Sequence, residues 1–280
     1  MGNFLSAGRR LLICALMVWP ILGAAQGNTL IVGVLPTLSP RVLLNNYQPF
    51  REYLQHALNR PVEMVTATDF AAFHKSTLAG EYDIVVTAAH LGRLAETERG
   101  YIPLATYKSA NRAMVMTSRA APLKSIRDLR GHTVAILDRY ALIAGQAIAW
   151  LEEQGLREGS DYRLLETPSH NSSAYSVLSG ESTLAIISPA GWKQMPENIR
   201  EGLQVYANLP AIPGLMWLAN PRLAREAPRL KSILLAFSPD SPDGKQFFHV
   251  TGYQGMRDIT PEEMKSLDPY TRYLQKNLGQ

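Results

Sequence analysis

Apolar and polar positions follow one another along this chain in two alternating periods. Short β-branched or apolar runs at 29–35, 62–66, 82–86, 113–117, 133–137, 162–166, 184–187, 203–206 and 215–218 read as strands. Between them apolar residues recur at helical spacing. Phe50, Tyr53, Leu54, Ala57 and Leu58 predict a helix over 48–58, with Pro49 in its first turn. Asp69 is placed to cap a helix over 70–79 that stops at Gly80. Further helices are expected at 88–98 and 142–154 and, after the last strand, at 223–237, 261–267 and 270–278. Strand and helix in this alternation predict a mostly parallel sheet covered on both faces. No low-complexity stretch, short repeat or Gly/Ser linker interrupts the rhythm. A division into two lobes therefore requires extended crossovers, near 108–114 and 208–216.

The first segment lies outside this pattern. Arg9 and Arg10 precede an apolar run over 11–22 broken by Pro20, and Gly23, Ala24 and Ala25 follow. This is the form of a secretory signal peptide cut after Ala25, which places the mature chain in the periplasm. The run is shorter than the roughly 20 residues that cross a bilayer. The bulk of Ile13 disfavours lipidation at Cys14. The segment carries the chain's one cysteine and two of its arginines, so the formal net charge of +4 falls to +2 on cleavage. The mature protein then has neither a disulfide nor a thiolate metal site. No dense Lys/Arg run marks nucleic acid as a partner. With 46% hydrophobic and 19% charged residues, the 280-residue chain has globular rather than disordered chemistry.

Several ordered segments carry a resemblance. They are Gly33-Val34-Leu35-Pro36 with Ser39-Pro40, then Tyr47-Gln48-Pro49-Phe50 with Tyr53-Leu54, then Gly80-Glu81-Tyr82-Asp83-Ile84 and Gly100-Tyr101-Ile102-Pro103-Leu104-Ala105. Ser125-Ile126-Arg127-Asp128-Leu129-Arg130-Gly131, Ser169-His170-Asn171 and Leu209-Pro210-Ala211-Ile212-Pro213-Gly214 follow. In this order and spacing the chain, from about 29 to about 235, resembles the phosphate/phosphite/phosphonate-binding (PhnD-like) family of periplasmic solute-binding proteins. The resemblance implies a type II periplasmic-binding-protein fold: two α/β lobes, a two-segment hinge and a central ligand cleft. Lobe 1 is expected over 26–111 and 209–280, and lobe 2 over 112–208.

Helix N-termini favour anions through free N–H groups and the helix dipole, and three loops have the right form. In the first, Thr87, Ala88 and His90 join a strand to a helix. In the second, His170, Asn171, Ser172 and Ser173 form a dense donor cluster before a helix, and a single cap would explain only one of them. By resemblance, His170 matches a ligand-contacting histidine, Tyr47 a ligand-contacting aromatic, and Ser188 a cleft-facing position; Ser39 is a weaker candidate. In the third loop the chain departs from the family. Ala141, Leu142, Ile143 and Ala144 replace a Ser/Thr cluster, leaving Tyr140 to form part of the wall. Each buried ligand oxygen left without a partner costs about 1–3 kcal/mol. The expected ligand is a small oxyanion-type molecule, phosphonate- or phosphate-like, with this departure pointing toward a less charged or partly apolar one.

The implied function is that of a periplasmic solute-binding protein of an ABC transporter, with no cofactor, no metal and no enzymatic activity, acting as a monomer. Its partner is a membrane permease or, alternatively, the periplasmic domain of a sensor kinase. A hydrolase built on His170 with Ser172 or Ser173 is the remote alternative. No Gly-x-Ser-x-Gly elbow, phosphate-cradling glycine loop, metal-spaced histidine pair or orienting carboxylate supports it.

Overall fold

The computed structural model describes residues 28–278 apart from 39, so the expected signal peptide and Ser39 lie outside the described residues. The chain begins β1 (Leu30–Val34), α1 (Pro40–Leu58), β2 (Val62–Val65), α2 (Phe70–Leu78), β3 (Ile84–Ala88), α3 (Ala89–Arg99) and β4 (Ile102–Tyr107). It continues β5 (Met114–Ser118), β6 (His132–Ile136), α4 (Leu142–Glu153), β7 (Tyr162–Glu166), α5 (His170–Leu178), β8 (Leu184–Ile187), α6 (Pro189–Gln194), α7 (Glu197–Arg200) and β9 (Leu203–Asn208). It ends β10 (Leu215–Ala219), α8 (Ala227–Ala236), α9 (Pro242–Thr251), β11 (Met256–Arg257), α10 (Pro261–Lys265) and α11 (Asp268–Leu278).

These strands form two sheets, in the orders β11-β4-β10-β3-β1-β2 and β7-β6-β8-β5-β9. Each sheet is the centre of one lobe. Strands joined through helices are parallel: β1 with β2 and β3, and β6 with β7 and β8. The remaining pairs are antiparallel, which corrects the expectation of mostly parallel sheets. The cause is the return path. Leaving the second sheet, β10 enters the first from the opposite direction and inserts between β3 and β4.

Three local departures from the sequence reading have physical causes. Helix α1 starts at Pro40, not at 48, and runs through Pro49. An interior proline costs about 3 kcal/mol or more. The buried face of Leu43, Tyr47, Phe50, Leu54 and Leu58 offsets that cost. Strand β4 escaped prediction because Pro103 interrupts the run. It sits at a shift of register, where Trp217 pairs with Ala105 but Leu218 pairs with Pro103, and such irregularities tolerate proline. Helix α9 is also additional, started by the Ser241 side chain, which accepts from the Gly244 N–H, and by Pro242.

Two features of the packing position the site. In the first lobe an aromatic core joins α1 to the return strand and the C-terminal helices. The Phe50 ring lies 4.6 Å from Trp217 and 4.7 Å from Phe237. A second core spans the two lobes, with Leu35, Phe70, Ala88, Ala89 and Leu91 on one side and Leu142, Ile143, Ala144 and Ala147 on the other. The two connecting segments lie side by side. Asn111 N donates to Ile212 O and Ile212 N donates back to Asn111 O, each at 2.9 Å. The buried Gln146 side chain of α4 braces both segments. It accepts from Ala113 N at 2.7 Å and donates to Pro210 O at 2.8 Å.

Candidate functional site

A cavity of about 580 Å³ opens between the lobes. The first lobe lines it with Pro36, Thr37, Leu38 and Pro40 after β1, and with Ala67, Thr68, Asp69 and Phe70 after β2. The second lobe contributes Leu137 and Asp138 after β6, Thr167, Pro168, Ser169, His170 and Asn171 after β7, and Gly191 in α6. All these loops follow the carboxyl ends of parallel strands, the place where open α/β sheets hold ligands.

Two of the ten expected site residues, His170 and Asn171, line this cavity. Ser169 starts α5 by accepting from Ser172 N at 3.1 Å, which sets the helix and so the position of His170. The His170 Nε2 lies 3.1 Å from Ser188 Oγ, which also accepts from Gly191 N at 3.0 Å. Burial lowers the His170 pKa to about 4, so the ring is neutral at pH 7. Ser188 thus touches the site through His170.

A second group closes the lobes against each other. His90 is 2% exposed, and its Nε2 donates to the Tyr140 carbonyl at 2.9 Å, from α3 of one lobe to the β6–α4 loop of the other. Burial, the largest cause, lowers the His90 pKa to about 3, although the Tyr140 carbonyl opposes the shift. Ala88, 7% exposed, belongs to the same interlobe core.

The other candidates lie elsewhere. Tyr47 is in the first lobe's aromatic core, with its hydroxyl 3.3 Å from that of Tyr107 and its ring edge-on to Phe247. Burial holds its pKa well above the ordinary tyrosine range. Thr87 is 2% exposed in β3. Ser173 is fully buried and its hydroxyl lies 2.6 Å from that of Thr167, which is structural bonding within the loop. Ser172 bonds Ser169 at 2.9 Å and lines, with Tyr175 and Ile199, an adjoining hollow of about 520 Å³ that shares Thr167, Pro168 and Asn171 with the cavity.

The sequence reading missed the cavity's two carboxylates. Asp69 had been read only as a helix cap. Its Oδ1 accepts from Ala72 N at 2.7 Å and its Oδ2 from the Thr68 hydroxyl at 2.9 Å, and these bonds lower its pKa. Asp138 accepts from Tyr140 N at 2.6 Å; its pKa is nonetheless raised by burial, with Glu166 and Asp69 adding to the rise. No Lys or Arg lines the cavity among the described residues. Nor do they gather three or more His, Cys, Asp or Glu side chains to hold a metal. No helix among them is long and apolar enough to cross a membrane.

Two α/β lobes, a paired hinge and an interlobe cavity at strand carboxyl ends define a binding protein of the type II periplasmic class. Similar folds occur in PhnD1 from Prochlorococcus marinus (MIT 9301) in complex with methylphosphonate, with a TM-score of 0.77 at 16% identity over 89% of this chain and 98% of that one. XAC2383 from Xanthomonas citri bound to chloride ion gives a TM-score of 0.75 at 18% identity, with the same coverage of each chain. The periplasmic aliphatic sulphonate binding protein SsuA from Escherichia coli gives 0.63 at 12% identity, over 89% and 92%. The family model described as "ABC transporter, phosphonate, periplasmic substrate-binding protein" matches residues 32–264. The chain belongs to that family.

Proposed function

We propose that this protein carries a small organic ligand between a first lobe, 26–111 with 209–280, and a second lobe, 112–208, after export directed by residues 1–25. It then delivers the ligand to a membrane permease. The ligand is less anionic than phosphate or a phosphonate dianion. It has one polar acceptor group, directed to His170 and Asn171, and an apolar part that packs on Pro36, Leu38 and Phe70. The charge content of the cavity carries this reading: Asp69 and Asp138 line it from opposite lobes and, among the described residues, no cationic side chain does. Where the family's hydroxyls are expected, Ala141, Leu142, Ile143 and Ala144 are at most 7% exposed and packed in the interlobe core. A dianion there would meet carboxylates and hydrocarbon, with about 1–3 kcal/mol lost for each unpaired oxygen.

A thermal-shift series tests this with phosphate, methylphosphonate, methanesulfonate, hexanesulfonate, acetate and hexanoate. A ligand at a hundredfold excess over its Kd stabilises the folded state by about 2.7 kcal/mol. The longer-chain monoanions should raise Tm most and phosphate least. A largest shift from phosphate or methylphosphonate would overturn the reading.

A further inference from the structure

The contact between His90 and Tyr140 joins the two lobes through a group that can take up a proton. The Tyr140 carbonyl only accepts, so the His90 Nε2, 2.9 Å away, must carry the N–H. In the neutral ring Nδ1 is then a bare acceptor. It is buried and has no hydrogen-bond partner among the described residues. A second proton would go to Nδ1. The charged ring would then be enclosed, one N–H without an acceptor, at the core that Ala88, Ala89 and Leu91 share with Leu142, Ile143 and Ala144. The surrounding charges do not relieve this. Strands β3, β4 and β10 pack on α3 and carry no Asp, Glu, Lys, Arg or His. Helix α2 brings His74, 4% exposed, whose charge opposes one on His90. Glu98 acts on His74 instead. Arg93 of α3 is paired with Glu96 and with Asp268 of α11. Glu262 and Lys265 of α10 and Arg272 of α11 are exposed, and Glu263 pairs with Arg257. In the β6–α4 loop Asp138 accepts from Tyr140 N and Arg139 pairs with Glu166.

We infer that His90 is a proton-sensitive latch: neutral, it fastens α3 to the β6–α4 loop, and protonated, it favours lobes that have parted. Opening removes the obstacle without unfolding either lobe. The Tyr140 carbonyl and the first turn of α4 leave with the second lobe, and water reaches Nδ1. The closed ring takes its proton only at about pH 3, whereas a solvated one does so near 6.5. The sign follows: the open form binds more protons, so acid favours it. Between pH 7.5 and 5 the ratio of open to closed molecules rises about thirtyfold. By reciprocity, any ligand that favours closure expels this proton, and acid weakens its binding. The latch does not depend on which ligand is carried, and its test needs none.

Residues 26–280 contain no cysteine, so a fluorophore pair can be attached through Lys124→Cys and Lys245→Cys, one exposed position on each lobe. Single-molecule energy transfer in the ligand-free protein then reads the populations of closed and open molecules. At pH 5 a second interlobe distance should gain about thirtyfold over the distance seen at pH 7.5, and the change should reverse on return to pH 7.5. His90→Gln keeps a donor for the Tyr140 carbonyl but does not titrate, and its distances should change less than threefold. Distances that do not respond to pH in the otherwise wild-type protein, or that respond equally in His90→Gln, overturn the inference. Should His90→Gln fail to fold, ¹H–¹⁵N spectra of the wild-type ring decide. Nδ1 should gain its proton over the same pH range in which the second distance appears, and a ring that stays neutral while the lobes part overturns the latch.

Discussion

Burial holds His74, His90 and His170 below their ordinary pKa, His90 the furthest, at about 3. In the unfolded chain these rings take up protons near pH 6.5. Between those values the unfolded state binds more protons than the folded one, so stability is full above about pH 7 and falls as pH drops through 6.5 toward 3. From pH 7 to 4, His90 alone accounts for a loss on the order of 3 kcal/mol. Urea unfolding at the two pH values should show this loss, and His90→Gln, which keeps a donor for the Tyr140 carbonyl, should make it shallower. Equal losses in both proteins would assign the titration elsewhere. His170 was legible in the sequence because a histidine amid four small polar residues before a helix is unusual. Asp69 was legible only as a cap, since one carboxylate performs both tasks and capping alone explains its presence. The seclusion of Tyr47 was not legible: it depends on Trp217 and Phe247, far away in the chain.

At the scale of elements, the first turn of α4 separates this chain from what its resemblance implied. Leu142, Ile143 and Ala144 bury there, and no side chain caps the helix. Ile143→Thr would place a hydroxyl at that N-terminus. The expected outcome is a loss of about 1–3 kcal/mol of stability, from the polar group in an apolar contact, together with tighter methylphosphonate binding, measured by denaturation and calorimetry. Unchanged affinity would show that this turn does not face the ligand. Helices and strands with strong periodicity were readable from the sequence. Strand β4 and helix α1 were misread where proline, normally a boundary, was absorbed by a register shift or by an extensive buried face.

At the scale of the molecule, the C-terminal helix α11 packs on α3 of the first lobe and on α4 of the second. Arg93 ties it to α3 through Asp268 at 2.8 Å, and Leu274 is fully buried. Removing residues 268–280 should enlarge the radius of gyration in small-angle scattering and lower Tm; an unchanged radius would mean that the helix does not restrain the lobes. The alternation of elements announced α/β architecture and the resemblance implied two lobes, but their closure was not readable. It depends on Leu35, Phe70 and Ala89 meeting Leu142 and Ile143, residues that single-chain periodicity assigns to separate cores.

The paired connection between the lobes has a mechanical consequence. Two segments stitched by reciprocal hydrogen bonds and gripped by Gln146 behave as one ribbon, which bends across its flat face more easily than it shears or twists. Such a connection opposes bending least among the motions of one lobe against the other. A partner that docks onto both lobes would then read chiefly one angle between them.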